Sequence, residues 1–246
     1  MLLHESTWQD CNSLLNNGIS LIPIGATEAH GPHLPVSTDV IIAQAMARSG
    51  AELLMAHGLS CGILPPIAYS VAEYASGFAG TVSLSSETAS AVLVDIARSL
   101  SRQGVRVLGL ANAHLEPAHI ASLDAAVTRI RQEKLLAVAF PDVTKKPWAL
   151  RLTEEFKSGV CHAGRYESSI VMAERPDLVK EAVRKALPPN PASLSKAIRE
   201  GKKTFEEAGG KDAYFGWPAD ASAEEGRKTI AILGKILEEA VLQALA

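Results

Sequence analysis

The chain has little cysteine: Cys11, Cys61 and Cys161 are the three thiols in 246 residues, an odd number at wide spacings. That excludes a disulfide framework and a thiolate zinc knuckle, and it predicts reduced, mostly core cysteines. A cationic surplus is also missing. Lys and Arg number 24 against 27 Asp and Glu, a net charge of −3 with the basic residues spread along the chain. Such a chain offers no electrostatic footprint for nucleic acid. No run approaches the roughly 18 apolar residues of a spanning helix. The opening Met1-Leu-Leu-His-Glu-Ser-Thr-Trp-Gln-Asp10 has neither the basic segment nor the apolar stretch of a signal peptide. The expectation is a cytoplasmic protein with no membrane and no nucleic-acid partner. Repeats and low-complexity linkers are lacking as well, and Leu187-Pro-Pro-Asn-Pro191 is a breaker too short to separate domains.

What is present is apolar material for a large core: 47% of residues are hydrophobic and 21% charged. The length suits one domain over residues 1–246 better than two small ones. The run Gly18-Ile-Ser-Leu-Ile-Pro-Ile-Gly25 is apolar and bounded by glycines, as a buried strand requires, and residues 40–57 carry apolar side chains at helical spacing. Strands are predicted again over 63–67, 105–110 and 135–140. Helices are predicted over 85–103, with Ser85 or Ser86 as cap, and over 117–133, with Pro117 in the first turn. Further helices are expected over 146–158, 168–174, 192–200 and 223–246. Strands alternating with helices predict an α/β fold with a mostly parallel sheet covered by helices on both faces.

In an open sheet of this kind, ligands gather beyond the carboxyl ends of the strands. The loop after the first strand reads Gly25-Ala-Thr-Glu28-Ala-His30-Gly-Pro-His33-Leu-Pro-Val-Ser-Thr-Asp39, and the loop after the strand at 105–110 reads Ala111-Asn112-Ala-His114-Leu-Glu116-Pro-Ala-His119. Carboxylate oxygen and imidazole nitrogen together suit zinc, manganese or iron, and a carboxylate can bridge two such ions. Glu28 and His30 can point to the same side of an extended loop, and so can His114 and Glu116. With Asp39 they furnish two ions of about four ligands each, completed by water. Against this, a lone loop histidine is commonly a packing residue, and Asp39 ahead of Val40 reads as a helix N-cap. Recurrence of the pairing after two separate strands favours the metal reading.

The run Ile22-Pro-Ile-Gly-Ala-Thr-Glu28-Ala-His30-Gly-Pro-His33-Leu-Pro-Val-Ser-Thr-Asp39 resembles the signature of the creatininase family, metal-dependent amidohydrolases with a three-layer α/β sandwich. Further matches stand at Phe78-Ala-Gly-Thr81, Asn112-Ala-His114-Leu-Glu116, His162-Ala-Gly-Arg-Tyr-Glu167-Ser-Ser169 and Gly216-Trp-Pro-Ala-Asp-Ala-Ser-Ala-Glu-Glu-Gly226, in the family's order over nearly the whole chain. The resemblance implies two divalent ions, Zn and/or Mn, with Fe also compatible. It implies that Glu28 and His114 bind one, that His30 and Glu116 bind the other, and that Asp39 bridges them. Glu167 would be a further ligand or a partner to one, and His162 the acid–base residue. A homo-oligomer, hexamers included, and a small-molecule amide substrate are implied with them.

Two ions sharing a water lower its pKa toward neutrality, and an imidazole such as His162 can protonate the leaving nitrogen. The plainer reading of His162 is a buried histidine bonded to a backbone carbonyl. The chain departs from the family's pattern where the pocket is expected: Leu115 replaces an aromatic residue, Pro117 an asparagine, Arg165 a glutamate, and Tyr74 a frequent histidine. Creatinine is therefore expected to be a poor substrate. Arg165 either faces the substrate or pairs with Glu167 or a surface carboxylate. His33 is expected to fix its loop, Asn112 to donate to substrate or brace its loop, and His119 is open between structure and function. His4 and His57 have no evident partners nearby. A Cys161–His162 nucleophilic dyad is disfavoured because sequence neighbours point apart. Tyr214, Phe215 and Trp217 can wall the pocket, meet another subunit or pack a turn, and the segment 230–237 can serve a core or an interface. A non-catalytic metal-binding or regulatory relative, and an α/β ligand-binding module whose carboxylates cap helices, are the other function classes the sequence permits.

Overall fold

The structure is a computed structural model that describes residues 1–246. Its helices are α1 (Trp8–Leu15), α2 (Thr38–Ala56), α3 (Ser86–Arg102), α4 (Pro117–Gln132), α5 (Glu154–Ser158), α6 (Arg165–Glu174), α7 (Glu181–Ala186), α8 (Leu194–Arg199) and α9 (Ala223–Leu245). Four strands, β1 (Ile19–Ile24), β2 (Cys61–Ile63), β3 (Val107–Asn112) and β4 (Ala137–Ala139), form one sheet in the order β2-β1-β3-β4. All three pairings are parallel.

Strand alternation divides the apolar residues between two layers. Ile19 and Leu21 of β1 and Val107 and Ala111 of β3 point to one face, where Ile42 and Met46 of α2, Ile170 of α6 and Leu233, Ile236 and Leu237 of α9 cover them. Ile22 and Ile24 of β1 and Leu108 and Leu110 of β3 point to the other, against Leu93 of α3 and Leu123 and Ile130 of α4. Both faces of the central strands are buried, so they read as unbroken apolar runs. The result is the three-layer α/β sandwich.

Helices α2 and α9 approach closely because two glycines stand at the crossing. A Cβ on Gly234 would come within 2.1 Å of Ser49 Oγ, and one on Gly50 within 3.0 Å of Leu237 Cδ2. Overpacking of that kind typically costs about 1–3 kcal/mol. His57, after the end of α2, bonds Glu238 of α9 at 2.7 Å. In the segment 230–237, Leu233, Gly234, Ile236 and Leu237 are buried in the core.

Several predicted elements shift. The strand expected over 63–67 is Cys61–Ile63, earlier in the chain, while Ile67 keeps only a single bridge to Ile24. The helix expected over 146–158 breaks into a 3-10 turn, Trp148–Arg151, and α5, because Thr153 caps a new start by accepting the Phe156 N–H. Helix α6 begins at Arg165, three residues before the expected start at 168. Helix α1, with its Thr7–Asp10 capping box, and α7 were not anticipated.

Candidate metal centre

The β1–β3 register sets the site. Ile24 stands level with Asn112, so the chain leaves both strands at the same edge and the two motif-bearing loops emerge side by side. Glu28 and His30 lie on the first loop, and His114 and Glu116 on the second. Asp39 lies in the first turn of α2, where Ser37 is the N-cap residue, so the capping role read from the sequence does not apply to it. Glu167 lies in the first turn of α6, and Ala163, at φ 51°, turns its own N–H onto Glu167 Oε2 at 2.6 Å.

The three histidines are anchored alike. His30 Nδ1 lies 3.1 Å from the Glu28 carbonyl oxygen, His114 Nε2 lies 2.7 Å from that of Val71, and His162 Nε2 lies 3.0 Å from that of Ala29. A carbonyl only accepts, so each of these nitrogens donates its N–H. The opposite nitrogen of every ring then turns its lone pair to the same cluster of carboxylates. His30 Nε2 is 3.1 Å from Asp39 Oδ1, 3.6 Å from Glu167 Oε2 and 3.7 Å from Glu28 Oε1. His114 Nδ1 is 2.9 Å from Asp39 Oδ2 and 3.3 Å from Glu28 Oε1, and His162 Nδ1 is 3.8 Å from Glu28 Oε1.

Three groups of donor atoms result, each compact enough to surround one cation: Glu28–Asp39–His114, His30–Asp39–Glu167 and Glu28–His30–His162. Asp39 directs one oxygen toward each of the first two. Although close to their neighbours, Glu28 Oε2, His30 Nε2 and Asp39 Oδ2 are buried with no hydrogen-bond partner. Buried polar atoms are normally satisfied, so convergent donors left unpaired fit divalent cations of the zinc, manganese or iron type.

The electrostatics agree with a site that demands positive charge. Burial opposes a proton on His30, yet Asp39, Glu167 and Glu28 outweigh it and raise its pKa to about 10. His114 is likewise raised well above its usual range, burial being outweighed by Glu28 and Asp39. Burial raises Glu167 to about 7, against the pull of His30. His162 goes the other way, lowered to about 4 by burial and by the charge on His30.

The centre opens into a cavity of about 60 Å³ lined by Glu28, Asp39, His114, Glu116, His162 and Glu167 together with Tyr74, Leu115 and Pro117. Glu116 stands outside the three donor groups: its Oε2 accepts the Tyr74 N–H at 3.1 Å. Among these donor groups His30 stands with Glu167, and none of them includes Glu116. Arg165 does not line the cavity but pairs with Glu225. It is two residues from Glu167 on one helix, a spacing that turns the two side chains to different faces. Tyr74 lines the cavity, but its hydroxyl donates to the Lys202 carbonyl at 2.6 Å.

The remaining residues fall into place around these. Asn112 braces its loop, donating to the His114 carbonyl at 2.7 Å, while His119 Nε2 bonds Asn112 Oδ1 at 2.9 Å. His33 Nε2 bonds Ser168 Oγ at 2.9 Å, tying the first loop to α6. The Cys161 thiol is pushed far up by burial, then by Glu167 and Glu155, so it is a poor nucleophile. Phe205, missed in the sequence, lines the cavity and packs against His162 with ring centroids 4.2 Å apart and the planes tilted by 38°. It sits in Lys202-Lys-Thr-Phe205-Glu-Glu, a stretch with no apolar period to mark it.

Comparison with known proteins places the chain among relatives. The chain is 31% identical over 214 residues to the mycofactocin precursor peptide peptidase of Mycolicibacterium smegmatis, covering 86% of this chain and 79% of that protein. It is 30% identical over 192 residues to the creatinine amidohydrolase of Pseudomonas putida, covering 71% and 72%. Among solved structures, a zinc–zinc form of a creatininase variant superposes with a TM-score of 0.76 at 22% identity, covering 98% of this chain and 97% of that one. A manganese form superposes at 0.72 and 23%, with the same coverage. The family model described as creatininase, creatinine amidohydrolase, matches residues 4–241, and the chain belongs to the creatininase family of amidohydrolases.

Proposed function

We propose that this amidohydrolase works with two divalent ions that share Asp39, and that it cleaves the C–N bond of a small cyclic, formyl or linear amide other than creatinine. The observation that carries the reading is the common anchoring of His30, His114 and His162 by backbone carbonyls, which aims three imidazole lone pairs at one carboxylate cluster. In it, Glu28, Asp39 and His114 hold one ion, with Glu116 completing that group from the cavity wall. His30, Asp39 and Glu167 hold the other. Zinc and manganese are the ions assigned, supported by the donor set and by the zinc–zinc and manganese forms of related creatininases.

When bound, such ions supply a water of lowered pKa and polarise the carbonyl oxygen of the amide. The chain's own residues do the rest. His162 keeps Nε2–H on the Ala29 carbonyl and presents Nδ1 to the cavity. That nitrogen takes up a proton as the carbonyl is attacked and returns it to the leaving nitrogen. Phe205 holds the imidazole plane, and Leu115 and Pro117 close the wall beside it. The three cysteines are free and no helix is long and apolar enough to cross a membrane, in keeping with a cytoplasmic location. Assembly as a homo-oligomer belongs to the same reading, with exposed Tyr69, Val82 and Val92 as apolar surface for it.

The test is to count metal per chain after loading with zinc or manganese and to screen creatinine, another cyclic amide, a formylamino pyrimidine and a small peptide for ammonia, formate or amine release. About two ions per chain with turnover of at least one non-creatinine amide is expected. One fully coordinated ion, or two ions with no turnover of any amide, would instead indicate a relative that keeps the site without the chemistry.

A further inference from the structure

The cavity beside the candidate metal ligands is small. About 10–15 Å³ of such volume holds one water, so about 60 Å³ accepts the reacting amide and little more. Beside it runs a groove of about 640 Å³, within the ~300–1,000 Å³ of ordinary small-molecule sites. Cavity and groove adjoin, with Leu115, Pro117, Cys161, Leu194 and Ile198 lining both. Leu194 and Ile198 are four apart on α8 and present one apolar face to both spaces. Ile120 and Phe156 continue the apolar lining of the groove.

Charged side chains also stand on the groove wall. Of the ionic groups on its wall, Lys157 is paired with Glu154 and Asp124 with Lys145, whereas no carboxylate stands within ion-pair range of Arg199. Arg199 ends α8, one residue beyond Ile198, and lines the groove but not the cavity. A guanidinium left unpaired beside an apolar channel matches a carboxylate at the end of an apolar chain.

We propose that the groove is the second half of the substrate site, and that the substrate is an amide carrying an extended apolar arm that ends in a carboxylate bound by Arg199. This rests on the amidohydrolase reading of the metal centre. It also explains a centre too small to bury more than the reacting group: recognition energy comes from the arm, and the amide is positioned by it.

Three amides with one scissile bond test it: acetamide, with no arm; hexanamide, with an apolar arm; and adipamic acid, whose arm ends in a carboxylate. Binding is measured by calorimetry on zinc-loaded His162→Ala protein, which lacks the proton carrier, and ammonia release is followed on the wild type. Hexanamide should bind at least about tenfold tighter than acetamide, since each buried methylene contributes. Adipamic acid should gain roughly a further fivefold, the modest increment of an exposed ion pair, and lose it in 0.5 M salt. Adding Arg199→Ala should remove that gain, while adding Lys157→Ala should change it by less than about twofold. Equal binding of the three amides, or equal losses in the two variants, would overturn the proposal. The expected binding order with no ammonia from any amide supports the groove and overturns hydrolysis.

Discussion

Glu155 holds the helix that carries Glu167, and its closest partner is Tyr166: Glu155 Oε2 accepts the Tyr166 N–H at 2.6 Å. Its other oxygen accepts the N–H groups of Arg165 at 2.9 Å and Trp217 at 2.8 Å. Two glycines make room for this carboxylate, since a Cβ on Gly164 or Gly216 would lie 2.7 or 2.2 Å from Glu155 Oε1. One buried side chain thus ties the start of α6 to the loop before Pro218. Burial raises its pKa, and the three N–H donors hold it down.

Replacing Glu155 should therefore loosen the centre without touching it. Glu155→Ala leaves three backbone donors without this acceptor, at about 1–3 kcal/mol for each one that stays buried and unsatisfied. Glu155→Gln keeps one oxygen acceptor and should lose less. Urea unfolding midpoints in the order wild type, Gln, Ala are expected. An Ala variant as stable as the wild type would show that water replaces the carboxylate freely.

Asp39 lies between His30 and His114, one oxygen toward each, at 3.1 and 2.9 Å. Asp39→Ala removes a donor from both groups at once, so the variant should lose at least one ion per chain and its activity. Glu116→Gln should weaken metal retention less, because Glu116 flanks only one group. Elemental analysis after dialysis checks both, and full metal content in Asp39→Ala would rule out the bridging role.

Chelation should reverse the pH response of stability. His30, raised to about 10 from a usual 6.5, gives stability that is complete below pH 6.5 and is lost as pH rises through about 10. His114 moves in the same direction. His33 and His162, both lowered to about 4, gain stability as pH rises toward 6.5 and add no slope above it. Glu167, raised to about 7, acts in the same direction, so chelated protein should lose stability, read as a falling Tm, between pH 6.5 and 8.5, by at most about 1.4 kcal/mol per pH unit for each raised group. Metal-loaded protein, whose ligands must be deprotonated, should be stabler at the upper end and release protons on loading. A chelated Tm that is flat or rising over this interval would contradict the charge balance derived for the centre.

Creatinine should be turned over poorly. The wall beside the centre is Leu115 and Pro117, neither of which offers a side-chain hydrogen bond, and the Tyr74 hydroxyl is already committed to Lys202. A small polar ring depends on such donors, and one missing partner costs orders of magnitude in rate. The measurement is kcat/KM on metal-loaded enzyme. A value near ~10⁴ M⁻¹s⁻¹, the low end for an enzyme on its own substrate, would refute this.

The sheet and the donor residues were legible in the sequence because both are local patterns. Unbroken apolar runs mark β1, between Gly18 and Gly25, and β3 whatever surrounds them. The pairs Glu28–His30 and His114–Glu116 are marked by residue type and spacing alone. Their partnership was decided elsewhere. Level endings of β1 and β3 bring the loops together, and the first turn of α6, held by Glu155, places Glu167 beside His30, the residue that the family resemblance pairs with Glu116. Arg165 could be read as a pocket cation until the helix turned it to Glu225. Phe205 and the Arg199 groove carry no local signature, because a wall assembled from α8 and separate loops exists only after the chain is packed. Local spacing determines which side chains can bind a cation, whereas partners distant in sequence depend on strand register and helix phase, which are set by burial of the whole core.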